Sequence, residues 1–139
     1  MSEASDRWYG AALSEMAQGK FCANSSDWRG AYARYGTAVE YLIKAIYLRN
    51  HQRNDFPPDM KSAGSHDLGL IADKASLGGQ IGLFTGSQRS YWLVVRDWDQ
   101  TRRYPTEPFP AKEGKDLKIA LLHPTNGIWQ WLLSIYQTN

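Results

Sequence analysis

The stretch Trp28–Arg49, WRGAYARYGTAVEYLIKAIYLR, decides the fold. Tyr32, Tyr35, Val39, Leu42 and Ile46 recur at steps of three and four, which helical geometry gathers onto one face. Ala38, Tyr41, Ala45 and Leu48 line roughly the opposite side. Only Thr37, Glu40 and Lys44 form a consistently polar flank, and Glu40 to Lys44 is a favourable i,i+4 pair. A helix apolar on two sides is expected at the centre of a bundle, and Gly36, Ala38 and Ala45 let its neighbours approach closely.

Upstream, Asp6 to Lys20 reads as a helix through Trp8 or Tyr9, Ala12, Leu13 and Met16, started by Ser5 or Asp6 and stopped by Gly19. Asn24-Ser25-Ser26-Asp27 is the start signal for the central helix, with a capping hydroxyl and then an acid. Downstream, Asn50 to Gly64 carries Pro57-Pro58 and reads as a loop. Ser65-His66-Asp67 opens a short helix through Leu68, Ile71, Ala72 and Ala75, and a Gly-rich gap runs from Gly78 to Gly86. Ser87 to Arg102 returns to helical spacing through Tyr91, Val94 or Val95, and Trp98, and Arg103-Tyr104-Pro105 ends it. After Pro105, Pro108 and Pro110 comes a tail seam of Leu117, Leu121, Pro124, Ile128, Trp131 and Ile135. Proline removes a donor and clashes inside a helix, so the last helix is expected to kink or break at Pro124. No alternating strand pattern appears. The expectation is a single all-α domain over residues 1–139, an up-and-down bundle of about five helices.

Composition narrows the function classes. The chain has 139 residues and a formal net charge of +2, with 42% hydrophobic and 22% charged residues, which excludes wholesale disorder. One cysteine, Cys22, excludes a disulfide framework and any paired-cysteine zinc site, and it reads as a packing or solvent-side thiol in the first loop. The first residues show neither a basic nor an apolar leader region, and no run approaches the ~20 apolar residues of a membrane span. A cytoplasmic protein with no membrane contact is therefore expected. A surplus of +2 does not by itself make a nucleic-acid binder. Six Trp, eight Tyr and four Phe fill the core of a small helical protein more readily than they build a base-stacking surface.

The order of elements resembles the HEPN superfamily of small helical domains. Ala38-Val39-Glu40-Tyr41-Leu42-Ile43-Lys44-Ala45 is similar to that family's core helix, Ser65-His66-Asp67-Leu68 to the start of its third helix, Arg103-Tyr104-Pro105 to a corner after its fourth, and Lys118-Ile119-Ala120 to its closing helix. The resemblance implies a four- or five-helix bundle that often dimerises, in bacterial toxin–antitoxin, defence or nucleotidyltransferase-linked systems. Its implied partners are a second copy, a nucleotidyltransferase-like or antitoxin protein, and RNA or nucleotide, with no cofactor. In some branches it implies a metal-independent endoribonuclease that uses an Arg-x4–6-His motif. There arginine neutralises the scissile phosphate and histidine moves the proton of the attacking 2′-OH. This chain departs from that motif: no arginine stands at the required spacing before His51, His66 or His123, and the nearest approach is Lys118-x4-His123. Lysine lacks the bidentate fork of arginine. The leading expectation is thus a non-catalytic or degenerate HEPN-like module that binds nucleotide, RNA or a protein; the alternatives are a ribonuclease using His123 with Lys118 or a spatially close arginine such as Arg103, and a purely structural dimerisation module.

Other residues suggest binding. Arg96, Arg102 and Arg103, with Trp98 and Tyr104 among them, form the best candidate for an anionic ligand, although Asp97 and Asp99 offset two of the charges. Glu40 and Lys44 either line a polar pocket or form a solvated pair. His66 either carries chemistry with Asp67 or packs and caps at a helix start, with Asp67 complementing the helix N-terminus. Three scattered histidines with no paired spacing point to no metal site.

Overall fold

Asp27 turns its carboxylate back onto the backbone N–H of Gly30 at 2.9 Å and so starts the central helix at Trp28. The cap is this acid and not a serine hydroxyl of the preceding turn, where Ser26 takes a positive φ of 58°. The computed structural model describes residues 3–61 and 66–138, and for Arg103 the backbone alone. Among the described residues lie seven α-helices and no strand: α1 (Glu3–Asn24), α2 (Trp28–Asn50), α3 (Leu68–Lys74), α4 (Gly78–Ile81), α5 (Gly86–Arg96), α6 (Ala111–Leu122) and α7 (Ile128–Thr138). The expected all-α bundle is present. Two helices beyond the expected five come from a single turn in the Gly-rich gap and from the split tail.

The five seam residues of α2 are all buried, as are Ala38, Ala45 and Leu48 opposite them. Each large apolar side chain sealed this way contributes about 1.5–3 kcal/mol. Helices α1, α3, α6 and α7 and the turn at Gln100–Arg103 all pack against α2, so the two-sided helix is the central one. Helices α1 and α2 form an antiparallel hairpin: Gly19 meets Tyr35, Glu15 pairs with Arg34, and Trp8 meets Tyr41.

Gly19 does not stop α1. The helix runs five residues further, to Asn24, and a Cβ at Gly19 would lie 2.7 Å from the Tyr35 ring. The glycine serves close approach between helices, a role that sequence spacing alone confuses with a stop. Cys22 consequently sits in the last turn of α1 and not in a loop. Gly36 has the same purpose on the other side of α2, where the Trp98 indole covers it; a Cβ there would fall 1.8 Å from a ring carbon. Trp98 is fixed by its indole N–H, which donates to the Tyr32 carbonyl at 3.1 Å.

Two further boundaries moved. Helix α5 ends at Arg96, short of the expected Arg102, because Asp97 and Trp98 leave the helix and Asp99 caps a separate turn over Gln100–Arg103. In the tail, α6 stops at Leu122 and α7 starts at Ile128, so Pro124 sits in a break and not a kink. The break shifts the phase of the seam. Leu117, Leu121 and Ile128 are buried as expected, but α7 then seals Trp129, Leu132 and Tyr136, while Trp131 and Ile135 are only partly covered. No helix is long and apolar enough to cross a membrane among the described residues.

Candidate functional site

Helical spacing places Glu40 and Lys44 one turn apart on α2, and Trp8 on α1 lies across them because the hairpin is antiparallel. The pair is not solvated. Glu40 and Lys44 side chains are 4% and 7% exposed, and Lys44 Nζ lies 2.8 Å from Glu40 Oε2. The ammonium faces the Trp8 ring at 5.4 Å and the Phe56 ring at 5.9 Å, a partly desolvated cation–π arrangement. Trp8 meets both Tyr41 and Phe56 edge to face, at 5.1 and 5.2 Å. Phe56 comes from the loop after α2, so that loop closes over the ion pair.

The second Glu40 oxygen, Oε1, lies 2.7 Å from His66 Nδ1. A carboxylate only accepts, so the proton is on Nδ1 and the outward nitrogen of the ring is Nε2. His66 is 40% exposed, whereas the carboxylate holding it is sealed. Asp67 caps α3 by accepting from the Leu70 N–H at 3.0 Å, as expected for a helix N-terminus, and this brings His66 to Glu40. Ser65, expected beside it, lies outside the described residues. Three expected binding residues, Glu40, Lys44 and His66, thus converge, and the aromatic wall of Trp8, Tyr41 and Phe56 completes the cluster. A carboxylate–imidazole pair of this kind orients the ring and can relay a proton at Nε2. Among the described residues no grouping of His, Cys, Asp and Glu fits a metal ion.

The same Trp8 ring walls a hollow of about 350 Å³ on the flank of the hairpin, with Tyr41 and Ala11 as its other walls and exposed Arg7 on its rim. Sequence reading had not selected Trp8, Tyr41 or Arg7 as binding residues. The antiparallel pairing of α1 with α2 is what assembles them.

The expected anion site is arranged differently. Arg102 donates through Nε and Nη2 to Glu113 at 3.2 and 2.8 Å and stands over the Phe109 ring. Its charge-assisted bond to Glu113 holds its own ionisation above the ordinary arginine value. Arg96 reaches Asp97 at 3.5 Å, Trp98 is buried in the core, and Tyr104 is about half exposed with its carbonyl held by Arg29. The Arg103 side chain lies outside the description. A hollow of about 310 Å³ beside Arg102 is lined by Asp97, Asp99, Glu113 and Asp116 with Tyr32 and Val94, so carboxylates outnumber the one arginine there.

Lys118 and His123 face different neighbours. Lys118 Nζ lies 6.0 Å from the Trp28 ring at the start of α2. His123 is the residue after α6, and its ring lies 5.3 Å from Tyr91 on α5. The backbone N–H groups of Thr125 and Asn126 both donate to His123 Nδ1, at 3.2 and 3.1 Å, which places the proton of the neutral ring on Nε2. The ring acts as a cap for the 123–127 turn. Cys22 is held as a thiol: burial, then the neighbouring Asp27 carboxylate, raises its pKa above the ordinary 9.0.

No family model, curated protein or solved structure matches this chain.

Proposed function

We propose that this chain is a HEPN-like helical module that binds a nucleotide or a short single-stranded RNA at the Trp8–Tyr41 hollow and does not cut it. The observation that carries this reading is the grouping, around one hollow, of an exposed cation, Arg7, with the half-buried rings of Trp8 and Tyr41. An arginine beside partly exposed aromatic rings suits a phosphate and a stacked base. Support for the non-cutting half comes from the engagement of the alternative residues: Arg102 with Glu113, Lys118 with Trp28, and His123 Nδ1 with two backbone donors. In the bacterial defence or toxin–antitoxin setting that the resemblance implies, a nucleotidyltransferase-like or antitoxin protein is the associated partner.

The test is filter binding of ATP and of a short unstructured RNA to the full chain, across a salt series. Binding is expected to weaken several-fold in Arg7→Ala, and the salt slope for RNA to become shallower by about 0.7, the contribution of one phosphate contact. Absence of binding to both probes by the folded wild type overturns the reading. Metal-free RNA cleavage that His123→Ala abolishes replaces it with the ribonuclease.

A further inference from the structure

Helix α5 carries Arg89, Trp92, Leu93 and Arg96 at positions i, i+3, i+4 and i+7, so the four share one side of the helix. Beside them the chain turns from α4 into α5, and the two segments enclose a hollow of about 240 Å³. Ile81 and Phe84 wall it on the turn side, and the Phe84 ring is held edge to face by Trp131 of α7 at 4.8 Å. No residue of the Trp8–Tyr41 hollow lines it, so this is a separate place in the molecule.

The donors around this hollow are largely uncommitted. Arg89 is exposed, and its side chain has no hydrogen bond or ion pair among the described residues. The ion pair of Arg96 is a long one, 3.5 Å to the exposed carboxylate of its neighbour Asp97, and such surface contacts hold little. Trp92 is only 5% exposed, yet its indole N–H has no acceptor among the described residues. Trp98, by contrast, donates its N–H to the Tyr32 carbonyl at 3.1 Å. A donor so nearly buried is ordinarily satisfied, and the hollow is where a partner for it can stand. Unlike the hollow beside Arg102, this one has no carboxylate in its described lining.

We propose that this hollow binds the phosphate of a small phosphomonoester whose organic part is apolar. A phosphomonoester carries close to two negative charges at neutral pH and three terminal acceptor oxygens. The hollow brings two guanidinium groups and one indole N–H, so both the charge and the number of donor groups match. A carboxylate, with one charge and two oxygens, matches neither. Ile81, Phe84 and Leu93 give the organic part an apolar wall. The volume lies below the ~300–1,000 Å³ of sites for drug-sized ligands, which suits a compact ester better than a nucleoside.

Titration of the full chain with phenyl phosphate, followed by calorimetry and by the indole N–H signals in a proton–nitrogen spectrum, tests this. Saturable binding of one equivalent is expected, with benzoate at least about tenfold weaker. The indole signal that disappears in Trp92→Phe is expected to be the one that phenyl phosphate shifts. Arg89→Gln and Arg96→Gln, both at exposed positions, are each expected to weaken binding about tenfold with unchanged circular dichroism. A folded wild type that does not bind phenyl phosphate, or binding indifferent to both arginine variants, overturns the proposal. Benzoate binding as tight as phenyl phosphate overturns the phosphomonoester assignment. A 5′-phosphorylated RNA that binds through the same arginines while phenyl phosphate does not overturns the small apolar ligand.

Discussion

Glu40 Oε1 and His66 Nδ1 lie 2.7 Å apart although 26 positions separate them in the chain, and the same carboxylate holds Lys44 through its other oxygen at 2.8 Å. One sealed acid therefore ties the centre of α2 to the start of α3. Helix propensity accounts for neither link. Both depend on the hairpin and the following loop excluding water with Trp8 and Phe56.

Removing one member of that cluster should cost far more than an exposed i,i+4 pair. Glu40→Leu leaves the Lys44 ammonium buried without its counter-charge, and Lys44→Met leaves the carboxylate with His66 alone. Each is expected to lose about 3–5 kcal/mol in urea denaturation, and the double variant less than the sum of the two. Losses of a few tenths of a kcal/mol in the single variants would show that the pair is solvated.

Tyr35 supplies the opposite case. Its ring is wholly buried against Gly19, and its hydroxyl has no hydrogen-bond partner among the described residues. Burial accordingly raises its pKa above the ordinary 10.0. Tyr35→Phe keeps the packing and removes the unsatisfied group, so it is expected to be neutral or to stabilise by up to about 1 kcal/mol. A clear loss in the denaturation midpoint would mean that the hydroxyl is bonded in solution.

Acidification should destabilise the fold in a defined direction. The hydroxyl and backbone N–H of Thr101 donate to Asp99 at 2.7 and 2.9 Å and hold its carboxyl below the ordinary 3.8. Lys61 and Lys74 do the same for Asp55 and Asp59. A group whose folded pKa is depressed adds stability above its unfolded value and loses it as pH falls through the folded one. The melting temperature is expected to fall below a pH near the ordinary 3.8, with a smaller fall in Asp99→Asn. At the alkaline end Lys74, raised above 10.5 chiefly by its hydrogen bond to Asp59, contributes in the opposite sense, and its share is lost as pH rises past that value. An acid limb of the same depth in Asp99→Asn would exclude Asp99 from it.

Much of the architecture follows from local pattern. The seam from Tyr32 to Ile46, an interruption at Pro124 and the helix start at Asp67 were legible because each depends on a few neighbouring residues of one element. Gly19 was misleading because a glycine that ends a helix and one that admits an aromatic ring look alike until the second helix is in place. Trp131 and Ile135 were misleading because the five-residue turn from His123 to Gly127 rotates α7 out of phase with α6. Of the site, Glu40, Lys44 and His66 were visible individually, but their convergence and the Trp8–Tyr41 wall were not.

Periodicity along one chain segment determined which side chains share a helix face, and from that came an all-α protein with α2 at its centre. The tertiary structure decided which faces are covered and by what. It sealed a charged pair that spacing alone would leave in water, gave Arg102 to Glu113, and set Arg89 and Arg96 beside one hollow. The physical reason is that a helix face is set by 3.6 residues per turn, whereas burial is set by the element that arrives from elsewhere in the sequence.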